Sequence, residues 1–165
     1  MKEVYVTGGQ LIRARQKAVD MGRLANSITN GAGNLAGFIG EIVVADELNA
    51  KQDNTYDYDL LLKDKTRIDV KTKRCNSAPL DTYDCSIAAH GTKQKCDAYV
   101  FVRVLNDFSK AWILGKLGKE EYFGKATFFK KGMVDYEGTF KVAALLDYLR
   151  KTGNEMINKS NDFVY

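Results

Sequence analysis

The sequence predicts one mixed α/β domain in which helices flank a central sheet. Two N-terminal segments carry apolar residues at helical spacing, a pair of β-type runs follows at 57–63 and 66–73, and 97–105 is strongly apolar and β-branched. The length of 165 residues suits a single domain, here taken as 1–165. A hydrophobic content of 45% with 28% charged residues is typical of a globular protein.

The first helix is predicted over residues 10–29. Its apolar residues recur at intervals of three and four, namely Leu11, Ala14, Ala18, Met21, Ala25 and Ile28. Asn34 is the predicted N-cap of a second helix over 35–49, whose apolar composition indicates deep burial. Gly37 and Gly40 would let another segment approach that helix closely.

The strands follow in pairs. Residues 57–63 and 66–73 predict a hairpin with a tight polar turn near Asp64, and 83–89 is a weaker strand. The run DAYVFVRVL at 97–105 predicts a strand that is buried on both faces.

A partner strand at 110–115, a short helix at 118–124 and a terminal helix at 139–151 complete the predicted order. We expect most aromatic side chains to lie in the core, namely those of Tyr99, Phe101, Trp112, Tyr122, Phe123, Phe128 and Phe129. Exposure of Phe128 and Phe129, which precede two lysines, would instead favour a base-stacking surface.

Composition excludes some classes of protein and leaves others open. No apolar stretch approaches the length that spans a bilayer, and the first residues, MKEVYVTGG, lack the apolar core of a signal peptide. We therefore expect no membrane partner and a cytoplasmic location. The net charge of +4 allows nucleic-acid binding without demanding it.

The cysteines form no CxxC pair, which favours a reduced, intracellular setting. Cys75, Cys85, His90 and Cys96 together could supply four zinc ligands, but their spacing matches no usual zinc motif. Isolated cysteines that pack as small hydrophobic residues are the favoured interpretation.

Three carboxylates and a lysine are the candidate catalytic residues. Asp59 lies in the first strand of the predicted hairpin, Asp69 and Lys71 lie in the second, and Glu41 lies in the preceding helix. Carboxylates that converge can bind Mg²⁺, which activates water and neutralises charge on a phosphoryl group. An ammonium beside that water stabilises the charge that develops. This chemistry points to phosphodiester hydrolysis.

Strand geometry sets a condition on this site. Side chains alternate along a strand, so Asp69, Lys71 and Lys73 share one face, while Ile68 and Val70 face the other way. Asp59 shares the face of Asp69 only if the connecting loop has an odd number of residues. The hypothesis therefore predicts a three-residue loop, or a bulge, around Asp64.

Less specific interpretations accompany each residue. Alternation of charged and apolar residues also describes a solvated strand face with cross-strand ion pairs, and Glu41 could be a surface acid. For Asp57, a supporting role near the metal and simple solvation are equally favoured. What distinguishes the set is its order along the chain: GFIGE at 37–41, DYDLLL at 57–62 and IDVKTK at 68–73.

These segments resemble the active-site signature of the PD-(D/E)XK nuclease superfamily, especially its small phage-type members, over about residues 34–105. The resemblance implies a restriction-endonuclease-like αβββαβ core, here at about 34–116, to which the N-terminal helix and a C-terminal helical segment are additions. It also implies Mg²⁺-dependent DNA cleavage, with Mn²⁺ as a substitute ion. If the chain is phage-encoded, it would act in the cytoplasm of the host cell.

Carried over by position, the resemblance makes Asp59 and Asp69 metal ligands, Lys71 the catalytic lysine, and Glu41 a further acid that binds metal directly or through water. Tyr58 stands where the signature has proline. Gln94 belongs to a segment, QKCDAY, that matches the glutamine–tyrosine motif of some members only loosely and with different spacing.

Further residues are candidate contacts to nucleic acid, although exposed charge explains most of them as well. They are Lys73, Arg74, Gln94, Arg13 and Lys17.

The leading hypothesis is a metal-dependent DNA endonuclease, with RNA left open as a substrate. The alternatives are a structure-specific junction resolvase, for which a homodimer is expected, and a nucleic-acid-binding domain of the same fold without turnover.

Overall fold

The computed structural model describes residues 1–22, 35–53, 55–130 and 138–156. Within them the helices are α1 (Gly8–Gly22), α2 (Leu35–Leu48), α3 (Lys119–Lys125) and α4 (Leu145–Thr152), with a 3₁₀ helix at Ala89–Lys93. The strands are β1 (Lys2–Tyr5), β2 (Lys51–Gln52), β3 (Leu60–Leu61), β4 (Arg67–Cys75), β5 (Cys85–Ala88), β6 (Ala98–Leu105), β7 (Lys110–Gly118), β8 (Thr127–Phe129) and β9 (Thr139–Val142). None of these helices is long and apolar enough to cross a membrane.

A six-stranded mixed sheet forms the centre of the fold, in the order β1-β7-β6-β4-β3-β2. Strands β4 and β6 pair in parallel, and the other neighbours pair antiparallel. A smaller sheet has the order β5-β9-β8. The predicted mixed α/β fold class is confirmed. The prediction for 97–105 is also confirmed, because β6 lies in the interior of the sheet and is buried on both faces.

Each face of the central sheet has its own hydrophobic core. Helices α1 and α2 cover one face, where Ile39 and Ile42 pack with Ile68 and Val100. The small sheet, α3 and α4 cover the other face, around an aromatic cluster that includes Tyr99. Because β4 alternates between these cores, Asp69 and Lys71 emerge on the aromatic side.

Helix α2 lies very close to β4 at one point. A Cβ atom placed on Gly40 would lie 2.0 Å from Thr72 Oγ1, so only glycine fits there without movement. Gly37, one turn earlier, has no atom within 4 Å of such a Cβ. The predicted close approach is therefore confirmed for Gly40 and wrong for Gly37.

The predicted αβββαβ order is met in part. Helix α2 is followed by the antiparallel strands β2, β3 and β4, and then by β6, which is parallel to β4. The connection across 76–97 contains β5 and the 3₁₀ helix, where the resemblance implies an α-helix.

Several predicted boundaries are wrong. The strand predicted at 57–63 is confined to Leu60–Leu61, because Thr55 Oγ1 accepts hydrogen bonds from the N–H groups of Asp57 and Tyr58 and closes a turn there. The first four residues of the helix predicted at 139–151 form β9, which pairs with both β5 and β8. Pairing with a strand on each side holds these residues in an extended conformation in spite of the helical pattern of their sequence.

The first helix begins at Gly8 and is described to Gly22; the rest of its predicted span and Asn34 lie outside the described residues. Among the aromatic residues, Tyr99, Phe101, Trp112 and Tyr122 are buried as predicted. Phe128 is 48% exposed, so the core prediction is wrong for this residue, since β8 is the edge strand of the small sheet.

Candidate active site

The turn between β3 and β4 has three residues. Leu62 N–H donates to the Thr66 carbonyl at 3.0 Å, which leaves 63–65 as the loop. Lys65 has a φ of 71° and donates its N–H to the Leu62 carbonyl, and Asp64 Oδ1 accepts from the Thr66 N–H at 2.9 Å. The predicted odd loop length is confirmed.

This register brings Asp59 next to Asp69. Leu60 pairs with Ile68, and the N–H of Asp59 also donates to the Ile68 carbonyl at 2.9 Å. Asp59 lies just before the first residue of β3, and its Oδ2 accepts the Val70 N–H at 2.8 Å in place of a backbone partner. The register continues to Asp59 opposite Asp69, so the two side chains share one face of the hairpin, and the charge of Asp69 raises the pKa of Asp59.

Asp69 and Lys71 form the centre of the site. Asp69 is 3% exposed, and Lys71 Nζ lies 2.7 Å from its Oδ2. This buried oxygen therefore has an ionic neighbour, although it accepts no hydrogen bond. Lys71 Nζ donates to Gln94 Oε1 at 3.2 Å and lies 5.8 Å from the centre of the Tyr99 ring.

Gln94 links the site to the turn before β3. Its Nε2 donates to the Tyr56 carbonyl at 3.0 Å, and Asp57 Oδ1 accepts the Lys95 N–H at 3.1 Å. The connection between the parallel strands is thereby held against the hairpin. Gln94 therefore reaches the site despite the loose motif match, and Asp57 has a supporting role as a hydrogen-bond acceptor.

Glu41 enters from α2 and forms an ion pair with Lys17 of α1. Burial raises the pKa of Glu41, the charge of nearby Asp69 raises it further, and Lys17 acts in the opposite direction. Lys17 Nζ also lies 4.9 Å from the centre of the Phe38 ring. Lys17, a candidate contact to nucleic acid, lies within the acidic cluster.

Crowding of the acids has an electrostatic consequence for Asp59. Burial raises the pKa of this carboxyl to about 8, and the charges of Glu41 and Asp69 contribute, while the Val70 N–H partly opposes the shift. A neighbouring cation would favour the ionised form of all three acids.

The donors fit Mg²⁺ or Mn²⁺. Both are hard ions that take carboxylate oxygens, and Mg²⁺ commonly uses one or two carboxylates and keeps several waters. Asp59 and Asp69 supply such a pair, and the buried Oδ2 of Asp69 has no hydrogen-bond donor. In the described part of the chain, no three Asp, Glu, His or Cys side chains are placed to hold one ion. The pairing of Glu41 with Lys17 accords with a contact to metal through water.

The remaining predicted nucleic-acid contacts lie outside this centre. Arg13 makes a bidentate pair with Asp46 at 2.5 and 3.2 Å, and Arg74 Nη2 donates to the Asn106 carbonyl at 3.1 Å. Exposed Lys73 lines an open groove of about 600 Å³ beside Glu41. Lys73 is thus placed to meet a ligand, while the other two side chains are held by the protein itself.

The cysteines lie in the core, and Cys96 also lies near the site: burial raises the pKa of its thiol and the charge of Asp69 raises it further. Cys75, Cys85 and Cys96 are buried free thiols on the aromatic side of the sheet, which accords with packing as small hydrophobic residues. Burial raises the pKa of Cys85 to about 11. The side chain of His90 lies outside the described part of the structure.

Sequence reasoning missed two neighbours of the site. Tyr99 lies beneath Lys71 because β4 and β6 pair in parallel with Asp69 next to Tyr99, a register that no local pattern reveals. For Lys17 a signal existed: it lies one helical turn after Ala14 and one before Met21, beside the apolar stripe rather than opposite it.

Comparisons with known proteins assign no family. No protein-family model matches the chain, and no curated protein is significantly similar to it in sequence.

Proposed function

We propose that the protein is a metal-dependent endonuclease that hydrolyses phosphodiester bonds in DNA. The observation that carries the proposal is the placement of Asp59 beside Asp69, with the ammonium of Lys71 2.7 Å from Asp69 Oδ2. Two acids and a lysine in this arrangement can bind a divalent cation and stabilise a hydroxide next to a phosphoryl group. The order of the motifs along the chain supports the same reaction.

Asp59 and Asp69 would hold Mg²⁺ or Mn²⁺, and Glu41 would contribute through a water. When bound, such an ion lowers the pKa of a coordinated water and neutralises charge on the phosphoryl oxygens. Lys71 would orient the attacking water and stabilise the negative charge that develops on the phosphoryl group. It can do so because Gln94 and the ring of Tyr99 fix the position of its ammonium.

The test is a nicking assay on supercoiled DNA with Mg²⁺ or Mn²⁺. Asp69→Asn and Lys71→Met keep the size of each side chain and remove its charge. We expect each to lower the rate by about 100-fold or more, the scale seen when one transition-state contact is removed. Matched controls outside the cluster are Asp147→Asn, whose half-buried carboxylate pairs with Lys151 on α4, and Lys116→Met at an exposed position on β7.

A metal titration monitored by melting temperature accompanies the assay, since an ion that binds only the folded state raises this temperature. We expect Mg²⁺ to raise it in the wild type and not in Asp69→Asn. Cleavage that survives both Asp69→Asn and Lys71→Met would refute the mechanism. Salt-dependent DNA binding with neither cleavage nor a metal-induced rise would instead identify a binding domain without turnover.

A further inference from the structure

Two exposed aromatic side chains are each linked to the candidate active site by a separate set of contacts. Tyr56 is 71% exposed and Phe128 is 48% exposed. Large aromatic side chains normally contribute their area to a core or an interface. Their exposure here is therefore a feature to be explained.

Tyr56 is attached to the site through one side chain. Its carbonyl accepts a hydrogen bond from Gln94 Nε2, and Gln94 Oε1 accepts one from Lys71 Nζ. The turn that carries Tyr56 is closed by Thr55, whose Oγ1 accepts the Tyr58 N–H at 3.0 Å. The backbone of Tyr56 is thus fixed while its ring faces solvent.

Phe128, in the small sheet, is linked to the site through Gly138 and the 3₁₀ helix. Its ring packs on Phe140, with centroids 4.8 Å apart, and a Cβ placed on Gly138 would lie 2.9 Å from the ring. The Gly138 carbonyl accepts the N–H of Ala89, the first residue of the 3₁₀ helix, at 2.7 Å. Gly91 in that helix faces the catalytic centre, since a Cβ there would lie 3.9 Å from Lys71 Nζ.

The segment between the two aromatic residues is basic. Lys93 and Lys95 are exposed on either side of Gln94, whose backbone is extended. Because side chains alternate in extended backbone and Gln94 turns inward to Lys71, these two lysines face outward. Lys119 Nζ donates to the Thr92 carbonyl at 2.9 Å and so fixes this segment.

We propose that Tyr56 and Phe128, with Lys93 and Lys95 between them, form an aromatic rim that binds unpaired bases beside the scissile phosphate. This inference rests on the proposed nuclease function and narrows its substrate to nucleic acid that is single-stranded or locally unpaired. An aromatic ring stacks on any base, and lysines attract the backbone without reading sequence. A continuous duplex keeps its bases stacked on one another and cannot use the two rings.

The test measures binding without metal, so that no turnover takes place. Fluorescence anisotropy in EDTA compares a labelled oligothymidine with a duplex of equal length. We expect the single strand to bind more tightly, and Tyr56→Ala and Phe128→Ala each to weaken its binding by about 5- to 100-fold, as loss of one stacked base predicts. Duplex binding should stay unchanged, and Tyr56→Phe and Phe128→Trp should retain the wild-type affinity.

Tyr5→Ala is the matched control, because Tyr5 is 68% exposed on β1, three strands away from β4 in the central sheet. Melting temperatures equal to that of the wild type establish that the variants are folded. Unchanged single-strand affinity in both Tyr56→Ala and Phe128→Ala would overturn the inference, as would an equal loss for duplex.

Failure of the nuclease proposal and failure of the rim proposal give different results. If the wild type cuts no DNA with Mg²⁺ but the two alanine variants still lose single-strand affinity, the nuclease proposal fails and the rim is supported as a binding surface. If cleavage depends on Asp69 and Lys71 but the alanine variants bind single strands as the wild type does, the rim is refuted and the nuclease proposal remains.

Discussion

Replacement of Asp59 by asparagine should stabilise the metal-free protein at alkaline pH. Asp59 has its pKa raised to about 8 by burial and by the charges of Glu41 and Asp69. Between about pH 4, where the unfolded chain ionises, and pH 8, the folded protein therefore holds a proton that the unfolded chain has released. Stability falls as pH rises through this window, and an uncharged asparagine does not contribute to that fall.

The size of the effect follows from the shift. Moving the pKa from 3.8 to about 8 corresponds to an upper bound of about 6 kcal/mol, at roughly 1.4 kcal/mol for each pKa unit. Relaxation of the site and entry of water reduce this amount, and asparagine retains an oxygen to accept the Val70 N–H. We expect Asp59→Asn to stabilise the protein by about 2 kcal/mol at pH 8, or roughly 4–8 °C in melting temperature for a chain of this size.

The assay is thermal unfolding in EDTA at pH 5 and pH 8, repeated at pH 8 with Mg²⁺. The two proteins should melt at similar temperatures at pH 5, and the variant should melt higher at pH 8. Addition of Mg²⁺ should raise the melting temperature of the wild type and leave that of the variant nearly unchanged. A variant that is destabilised at pH 8, or shifted equally at both pH values, would refute the electrostatic account of this cluster.

Two further predictions concern the scaffold. Gly40→Ala should destabilise the protein by about 1–3 kcal/mol in urea unfolding, because the new methyl group overlaps Thr72. Gly37→Ala should be neutral, or stabilise the protein by up to about 1 kcal/mol, because alanine has the higher helix propensity and the site has space for its methyl group. Similar losses of stability in both variants would contradict this packing. Arg67 lowers the pKa of Asp97 to about 2. The Arg67–Asp97 ion pair therefore stabilises the folded protein above about pH 4, and this stabilisation is lost as pH falls towards 2. The melting temperature of Asp97→Asn should therefore fall less steeply than that of the wild type as pH falls from about 4 to about 2. An equally steep fall in both proteins would argue against this ion pair.

The sequence predicts the parts of the fold that depend on local pattern. The apolar runs in the sequence predict helix α2 and strand β6. The alternation of side chains, together with the requirement that Asp59 and Asp69 share a face, predicts the odd number of residues in the 63–65 loop. β9 was missed because Thr139–Val142 is a strand only through its partners on both sides.

The surroundings of the site depend on contacts that are distant in the chain. The approach of Gln94 to Lys71 requires the parallel register of β4 and β6, and the pairing of Lys17 with Glu41 requires the packing of α1 on α2. The approach of Gln94 leaves no local mark on the sequence, and the position of Lys17 beside the apolar stripe of α1 does not reveal its partner. The acids and the lysine could therefore be predicted, while the contacts around them could not.

In the three-residue turn before β4, the number of residues matters more to the active site than their identity. Substitutions at 63–65 can alter the hydrogen bonds and the stability of this exposed turn, but they leave the register of the two strands unchanged. Insertion or deletion of a single residue there would rotate Asp59 to the opposite face of the sheet from Asp69, although every residue of the motif would still be present. Homologues that keep the site should therefore differ in the length of this turn by even numbers, whereas its composition should vary within what the left-handed φ of residue 65 and its N–H donation allow. A sequence search that allows a one-residue gap there would accept chains whose motif is intact and whose two acids can no longer meet.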